Sequence, residues 1–170
     1  DEFDEPMDAI VYGVAASLGF AAYENWEYVL SASSESISYA KEVALIRSFT
    51  AIPLHALAGI FMGFFLMDAV FKKENRKLNL FLSLFFPICL HGLYDLILFS
   101  NNFSTWWIYV LIIVFLIRVL FIFRTERAKQ LQGIKYKNKH KPINSEVVFS
   151  IIGSLFILIL ANYMLNIYLY

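Results

Sequence analysis

The stretch LNLFLSLFFPICLHGLYDLILFS, residues 78–100, decides the fold. About 20 mainly apolar residues in a helix cross the roughly 30 Å of hydrocarbon in a bilayer. This stretch is that long, and Asp95 is its one residue with a formal charge. It reads as a membrane-spanning helix with a histidine and an aspartate inside it, His91 and Asp95. Four residues apart, these two project from one helix face, where they can bond each other or aim at a common ion or water.

The rest of the chain agrees with that setting. The 170 residues are 59% hydrophobic and 18% aromatic, too apolar for a soluble domain of this size. Five windows are long enough to span: 8–30, 43–71, 78–100, 106–123 and 147–169. The expected fold is therefore an all-α polytopic transmembrane helix bundle of about five spans, forming one membrane-embedded domain over 1–170. The third, fourth and fifth windows are the clearest, because polar residues interrupt the first two. In the first window, Gly13, Ala16, Ser17 and Glu24 fall near one helix face, a small-residue stripe that lets a neighbouring backbone approach closely. In the second, His55, Gly59 and Gly63 continue one face at i, i+4 and i+8, so His55 is expected to look into the bundle.

Basic residues set the orientation. Eleven of the fourteen Lys and Arg lie in two connections, 72–77 and 124–141. The positive-inside rule makes both cytoplasmic, which places residues 1–8 inside and 31–42, 101–105 and the C-terminal Tyr170 outside a cell membrane. Trp106, Trp107, Tyr109, Tyr163, Tyr168 and Tyr170 fit an aromatic belt at the outer interface. The basic run 124–141 reads as a topogenic loop on anionic lipid headgroups, with no nucleic-acid partner. Asp68 and Arg118 both fall toward the cytoplasmic side, where they can pair. The single Cys89, mid-span, supports no disulfide framework and reads as an apolar packing residue.

Depth singles out a site. Counting about 1.5 Å per residue from the cytoplasmic ends puts Glu24 and His55 at roughly 24 Å, His91 at roughly 20 Å and Asp95 at roughly 26 Å. Ionisable groups inside a bilayer are costly unless paired, hydrated or bound to a cation, so four at one level read as a functional site. Two imidazoles and two carboxylates suit a divalent metal that activates water, or a general base with orienting partners. Arg47, about two turns beyond His55, is expected near the outer interface, paired with Glu42, Glu27 or lipid phosphate. Two other classes remain open on these residues. A proton- or cation-coupled transporter would also line its path with Glu, His and Asp, although only Pro53 and Pro87 hint at broken helices. A structural or immunity-type membrane protein would use the same groups as hydrogen-bonded glue.

The residues also carry a resemblance. The run Glu5-Pro6-Met7-Asp8-Ala9-Ile10-Val11-Tyr12-Gly13, continued by Leu18-Gly19-Phe20-Ala21-Ala22-Tyr23-Glu24-Asn25, resembles the E-P-x-D-G-I-V-Y-G…G-F-A-x-x-E-N block of the PrsW family of intramembrane proteases. Arg47 with His55 is similar to that family's R…H-A helix, and His91-Gly92-Leu93-Tyr94-Asp95 to its H-G-x-x-D helix. Together these cover about residues 5–95. The family is related to the CAAX-processing and bacteriocin-immunity proteases, of bundle-like membrane fold.

The resemblance implies peptide-bond hydrolysis in a single-pass, membrane-anchored protein such as an anti-sigma factor. It places Glu24, His55 and His91 in the active-site region, with Asn25, Arg47 and Asp95 supporting them and a divalent metal such as zinc as a candidate cofactor on the first three. A carboxylate would take a proton from water while the histidines bind the metal or stabilise the oxyanion, to which Asn25 could also donate. There are two departures. Ala9 stands where the family usually has Gly, which affects packing more than chemistry. The family's Glu-Glu-x-x-Lys motif belongs on a helix upstream of this block, so a chain beginning at Asp1 is expected to be part of a longer protein, with an upstream glutamate completing the site.

Overall fold

Five helices follow one another in the described part of the chain: α1 Pro6–Glu35, α2 Ile37–Phe49, α3 Ala51–Phe71, α4 Arg76–Phe99 and α5 Trp106–Leu131. The computed structural model describes Phe3 and residues 5–72, 75–100 and 103–131. The chain divides into Glu5–Lys137 and a second unit of Asp1–Asp4 with Asn138–Tyr170, and apart from Phe3 the described residues lie in the first. No strand occurs among them, as the all-α reading expects.

Local chemistry explains where the helices start and stop. Pro6 opens α1, where its fixed φ suits a first turn and its missing N–H costs nothing. The Asp8 carboxylate accepts from the Glu5 N–H at 2.8 Å. Ser36 ends α1 and caps α2, its hydroxyl accepting from the Tyr39 N–H at 3.1 Å. Asn75, at φ 55°, precedes α4 in a left-handed conformation that Asn tolerates better than most residues.

The windows read from hydropathy differ from the helices in one informative place. The 43–71 window is two helices, not one, because the backbone departs from helical geometry at Thr50 (φ −122°, ψ −67°). Pro53 accounts for the position of the break. Its ring would collide with the carbonyl four residues back, that of Phe49, if α2 and α3 were continuous. Elsewhere the helices overrun the windows, α1 reaching Glu35 and α5 Leu131, since polar residues extend a helix past the hydrocarbon. Three stretches among the described residues are long and apolar enough to cross a membrane: Ile37–Phe71, Arg76–Phe99 and Trp106–Ala128. The 147–169 window lies outside the described residues.

α3 is the central helix. It packs on α1 along one face and on α4 along another, with α5 against both α3 and α4. The α1–α3 crossing is made of glycines. A Cβ on Gly13 would lie 2.5 Å from the Gly59 carbonyl oxygen, and one on Gly63 would run into the Ala9 carbonyl and Ile10 Cα. The two backbones therefore touch, as the small-residue stripe anticipates. On the opposite side, Leu54, Leu57, Ala58 and Phe61 of α3 meet Leu90, Tyr94 and Ile97 of α4 with Ile108, Val119 and Ile122 of α5. Phe61 sits edge-on to Phe115 with ring centroids 5.5 Å apart.

The outward faces carry Phe81, Phe85 and Ile88 on α4 and Ile113, Ile117 and Phe121 on α5, all exposed, as lipid contact requires. Cys89 is exposed with them. The C-terminal ends of α3 and α5 come together, Lys72 Nζ lying 2.5 Å from Asp68 Oδ1 and 3.6 Å from Glu126 Oε1. Asp68 is thus paired within its own helix rather than with Arg118, whose guanidinium lies 5.9 Å over the Phe121 ring.

Candidate active site

Beyond the glycine crossing, α1, α3 and α4 bring Glu24, His55 and His91 together. The face that presents Gly13 to α3 presents Ser17 a turn later, and Ser17 Oγ donates to the His55 carbonyl at 2.7 Å. Phe20, one further turn along, lies edge-on to the His55 ring at 5.5 Å and 6.3 Å from the His91 ring. Glu24 follows at the next turn, its side chain 18% exposed against 3% for His55 and 24% for His91. The site is recessed but reachable, more so at Asp95, whose side chain is 39% exposed.

Glu24 Oε2 is 3.1 Å from His55 Nε2, and Glu24 Oε1 is 3.5 Å from His91 Nε2. The two imidazoles are 4.9 Å apart between centroids. His91 Nδ1 bonds Asp95 Oδ2 at 3.0 Å, the i, i+4 contact expected from sequence. That bond fixes the ring and turns Nε2 toward Glu24, where it is buried without a hydrogen-bond partner.

These residues fit a divalent cation. One donor atom from each of Glu24, His55 and His91 lies within 4.8 Å of the other two. The two Glu–His separations already approach the roughly 3.3 Å edge of a tetrahedron with zinc-like bonds of about 2 Å. The carboxylate on the far nitrogen of His91 is the usual outer partner of a metal-binding imidazole, and a buried, hydrogen-bond-free Nε2 is the atom such a cation would satisfy.

Arg47 is where the structure departs from the sequence reading. It reaches into the site instead of the interface, with Nη2 donating to Glu24 Oε2 at 2.9 Å and Nε donating to Asn25 Oδ1 at 2.6 Å. Its guanidinium carbon stands 4.0 Å over the Tyr28 ring. Glu27, one of its expected partners, instead accepts from Tyr23 at 2.9 Å within α1. Residues 47 and 55 on one straight helix would be about 12 Å apart along the axis. The break at Thr50 and the length of the arginine side chain let both reach the same oxygen. Thr50 itself bonds the buried Tyr94 hydroxyl at 3.2 Å, tying the break to the helix of His91.

The six residues that the family resemblance groups, Glu24, Asn25, Arg47, His55, His91 and Asp95, lie in one chain of contacts, whereas depth counting alone puts Arg47 at the outer interface. The sequence reading missed Ser17 as the link to His55, Phe20 as the aromatic wall, and the Thr50–Tyr94 bond. Phe20 could have been found, since it precedes Glu24 by four residues and so shares its face.

Residues 1–121 match the family model described as PrsW family intramembrane metalloprotease. The chain belongs to the PrsW family. It is similar to Protease PrsW of Bacillus subtilis, 42% identical over 110 residues, which are 64% of this chain and 46% of that protein. Protease PrsW of Geobacillus kaustophilus is 39% identical over 102 residues, 60% and 42% of the two chains. That of Oceanobacillus iheyensis is 35% identical over 130 residues, 76% and 56%. The chain therefore spans about half the length of these curated relatives. No solved structure matches.

Proposed function

We infer that the protein hydrolyses a peptide bond of a membrane-anchored substrate, within or at the edge of the bilayer, with Glu24, His55 and His91 around the reacting atoms. The observation that carries this reading is the convergence, from three helices of a PrsW family member, of Glu24, His55 and a His91 Nε2 buried without a hydrogen bond. The substrate class is a single-pass membrane protein such as an anti-sigma factor, in keeping with the family resemblance.

Glu24, His55 and His91 would hold a divalent cation such as zinc, which when bound would supply Lewis acidity and a water of lowered pKa. The chain's own residues do the rest. Asp95 keeps His91 Nδ1 protonated and Nε2 facing Glu24. Arg47 Nη2 donates to Glu24 Oε2, so Oε1 is the oxygen free to receive a proton from water or to face the cation. Phe20 shields the imidazoles from water on one side, which strengthens the electrostatics among the polar groups.

In the membrane, the basic segments 72–77 and 124–141 face the cytoplasm and the C-terminus lies outside, in a single domain of about five spans. The meeting of Lys72 with Glu126 supports placing both basic connections on one side. Cysteines substituted at Lys73 and Lys137 should resist a membrane-impermeant thiol reagent added from outside, and one at Ser34 should react. The opposite pattern would invert the topology.

The functional test is cleavage of a single-pass substrate by the purified full protein. Glu24→Gln, His55→Ala and His91→Ala should each lower kcat by about 10³-fold or more, because residues acting as a unit give similarly large single losses. Polar glue alone would predict retained turnover with destabilisation of about 0.6–2 kcal/mol. Full turnover by a folded Glu24→Gln variant would defeat the assignment.

A further inference from the structure

Arg47 grips α1 in a way that charge neutralisation does not require. A counter-ion for Glu24 needs one contact, yet the guanidinium forks across two consecutive side chains, Nη2 to Glu24 Oε2 at 2.9 Å and Nε to Asn25 Oδ1 at 2.6 Å. The Asn25 contact is the shorter, and Asn25 carries no charge. Tyr28, one turn beyond Glu24, forms a shelf 4.0 Å beneath the guanidinium carbon. The Arg47 side chain is 7% exposed, so the fork is held inside the protein, away from lipid headgroups.

We propose that Arg47 is a positioning residue that sets the rotation of the Glu24 carboxylate, committing Oε2 and turning Oε1 toward His91 Nε2 for a bound divalent cation. This inference rests on the metal-site reading of Glu24, His55 and His91. A carboxylate turns freely about its last bond unless something holds one oxygen, and a planar fork anchored at a second point holds it in direction as well as distance. His55 Nε2 shares Oε2 at 3.1 Å, which leaves Oε1 as the oxygen facing His91, 3.5 Å away. A lysine at position 47 would bring the same charge but, as a point charge on a flexible stem, could not span both Glu24 and Asn25 with one orientation.

The experiment uses cobalt(II) as the probe, added to the metal-stripped full protein in nanodiscs, and reads binding affinity and the visible absorption band. Kinetics on a single-pass substrate accompany it. Arg47→Lys and Arg47→Met should each weaken cobalt binding about 10–100-fold, the range typical of lost outer-shell partners, and should shift the band. Their kcat should fall while KM stays within about twofold. Arg47→Lys with wild-type affinity and band would overturn the proposal, since charge alone would then suffice.

Should the arginine variants fail to fold, Tyr28→Leu removes the shelf without touching either hydrogen bond. It should weaken cobalt binding several-fold and shift the band in the same sense, and unchanged binding would overturn the proposal. A wild-type protein that binds no cobalt would overturn the metal-site reading and this inference together. Wild-type binding that Arg47→Lys leaves intact overturns the inference alone.

Discussion

The α1–α3 pair has two ends built on opposite principles. Around Gly13, Gly59 and Gly63 the helices are sealed backbone to backbone, with no room for a methyl group. One to three turns along the same faces, from Ser17 to Glu24, side chains occupy the space between the helices, and a third helix contributes His91. Close approach and separation are parts of one device. The glycine contact fixes where α1 sits on α3, and everything further along α1 is aimed by that contact. A carboxylate three turns away can then meet a histidine on another helix without being on a loop.

The largest effect on stability is expected at the sealed end. Gly63→Leu should destabilise the protein by about 1–3 kcal/mol or more, since the side chain would enter the Ala9 and Ile10 backbone, which cannot yield as a flexible side chain would. Thermal unfolding in detergent measures this. The fraction that remains folded should bind cobalt more weakly than the wild type, because α1 is displaced from α3 and Glu24 is no longer aimed at the imidazoles. Gly19 is the contrasting position on α1, with nothing within 4 Å of an added Cβ. Gly19→Ala should leave stability within about 0.5 kcal/mol or raise it slightly, as helix propensity favours Ala. Equal losses at positions 19 and 63 would show that the glycine crossing does not fix the pair.

At the open end the effect should fall on chemistry instead of folding. Asp95→Ala frees His91 to rotate and to change tautomer, and should weaken metal binding about 10–100-fold. Isothermal titration with zinc reads it directly. The unfolding temperature should change little, because the side chain is already 39% exposed. A large drop in thermal stability with undiminished zinc affinity would mean that Asp95 serves packing and not the imidazole.

Much of this was legible in the sequence, and the reasons differ by residue. Glu24, His55 and His91 stand out because each is costly in lipid, and Glu24 and His55 share the small-residue faces of their helices. Gly59 and Gly63 were legible from four-residue spacing. Arg47 was misplaced because depth counting assumes one straight helix from Val43 to Phe71 and ignores side-chain length, and a long side chain next to a break escapes both assumptions. Pro53 carried the signal for the break. Its consequence four residues upstream, at the Phe49 carbonyl, was not drawn from hydropathy. The outward face of Cys89 was not legible, because mid-span position says nothing about which side of a helix faces lipid.

The break at Thr50 also bears on how the chain fits the thickness of its membrane. Ile37–Phe71 is a run of 35 residues, which as one rod would measure about 52 Å, longer than the roughly 40–45 Å of a bilayer with its headgroups. A straight helix of that length would have to tilt steeply or force the lipid to thicken around it. Divided at Thr50, the 21 residues of α3 measure about 32 Å and match the hydrocarbon alone, and the 13 residues of α2 are released to take their own direction. Mismatch between protein and bilayer is thus absorbed at the joint between Arg47 and His55.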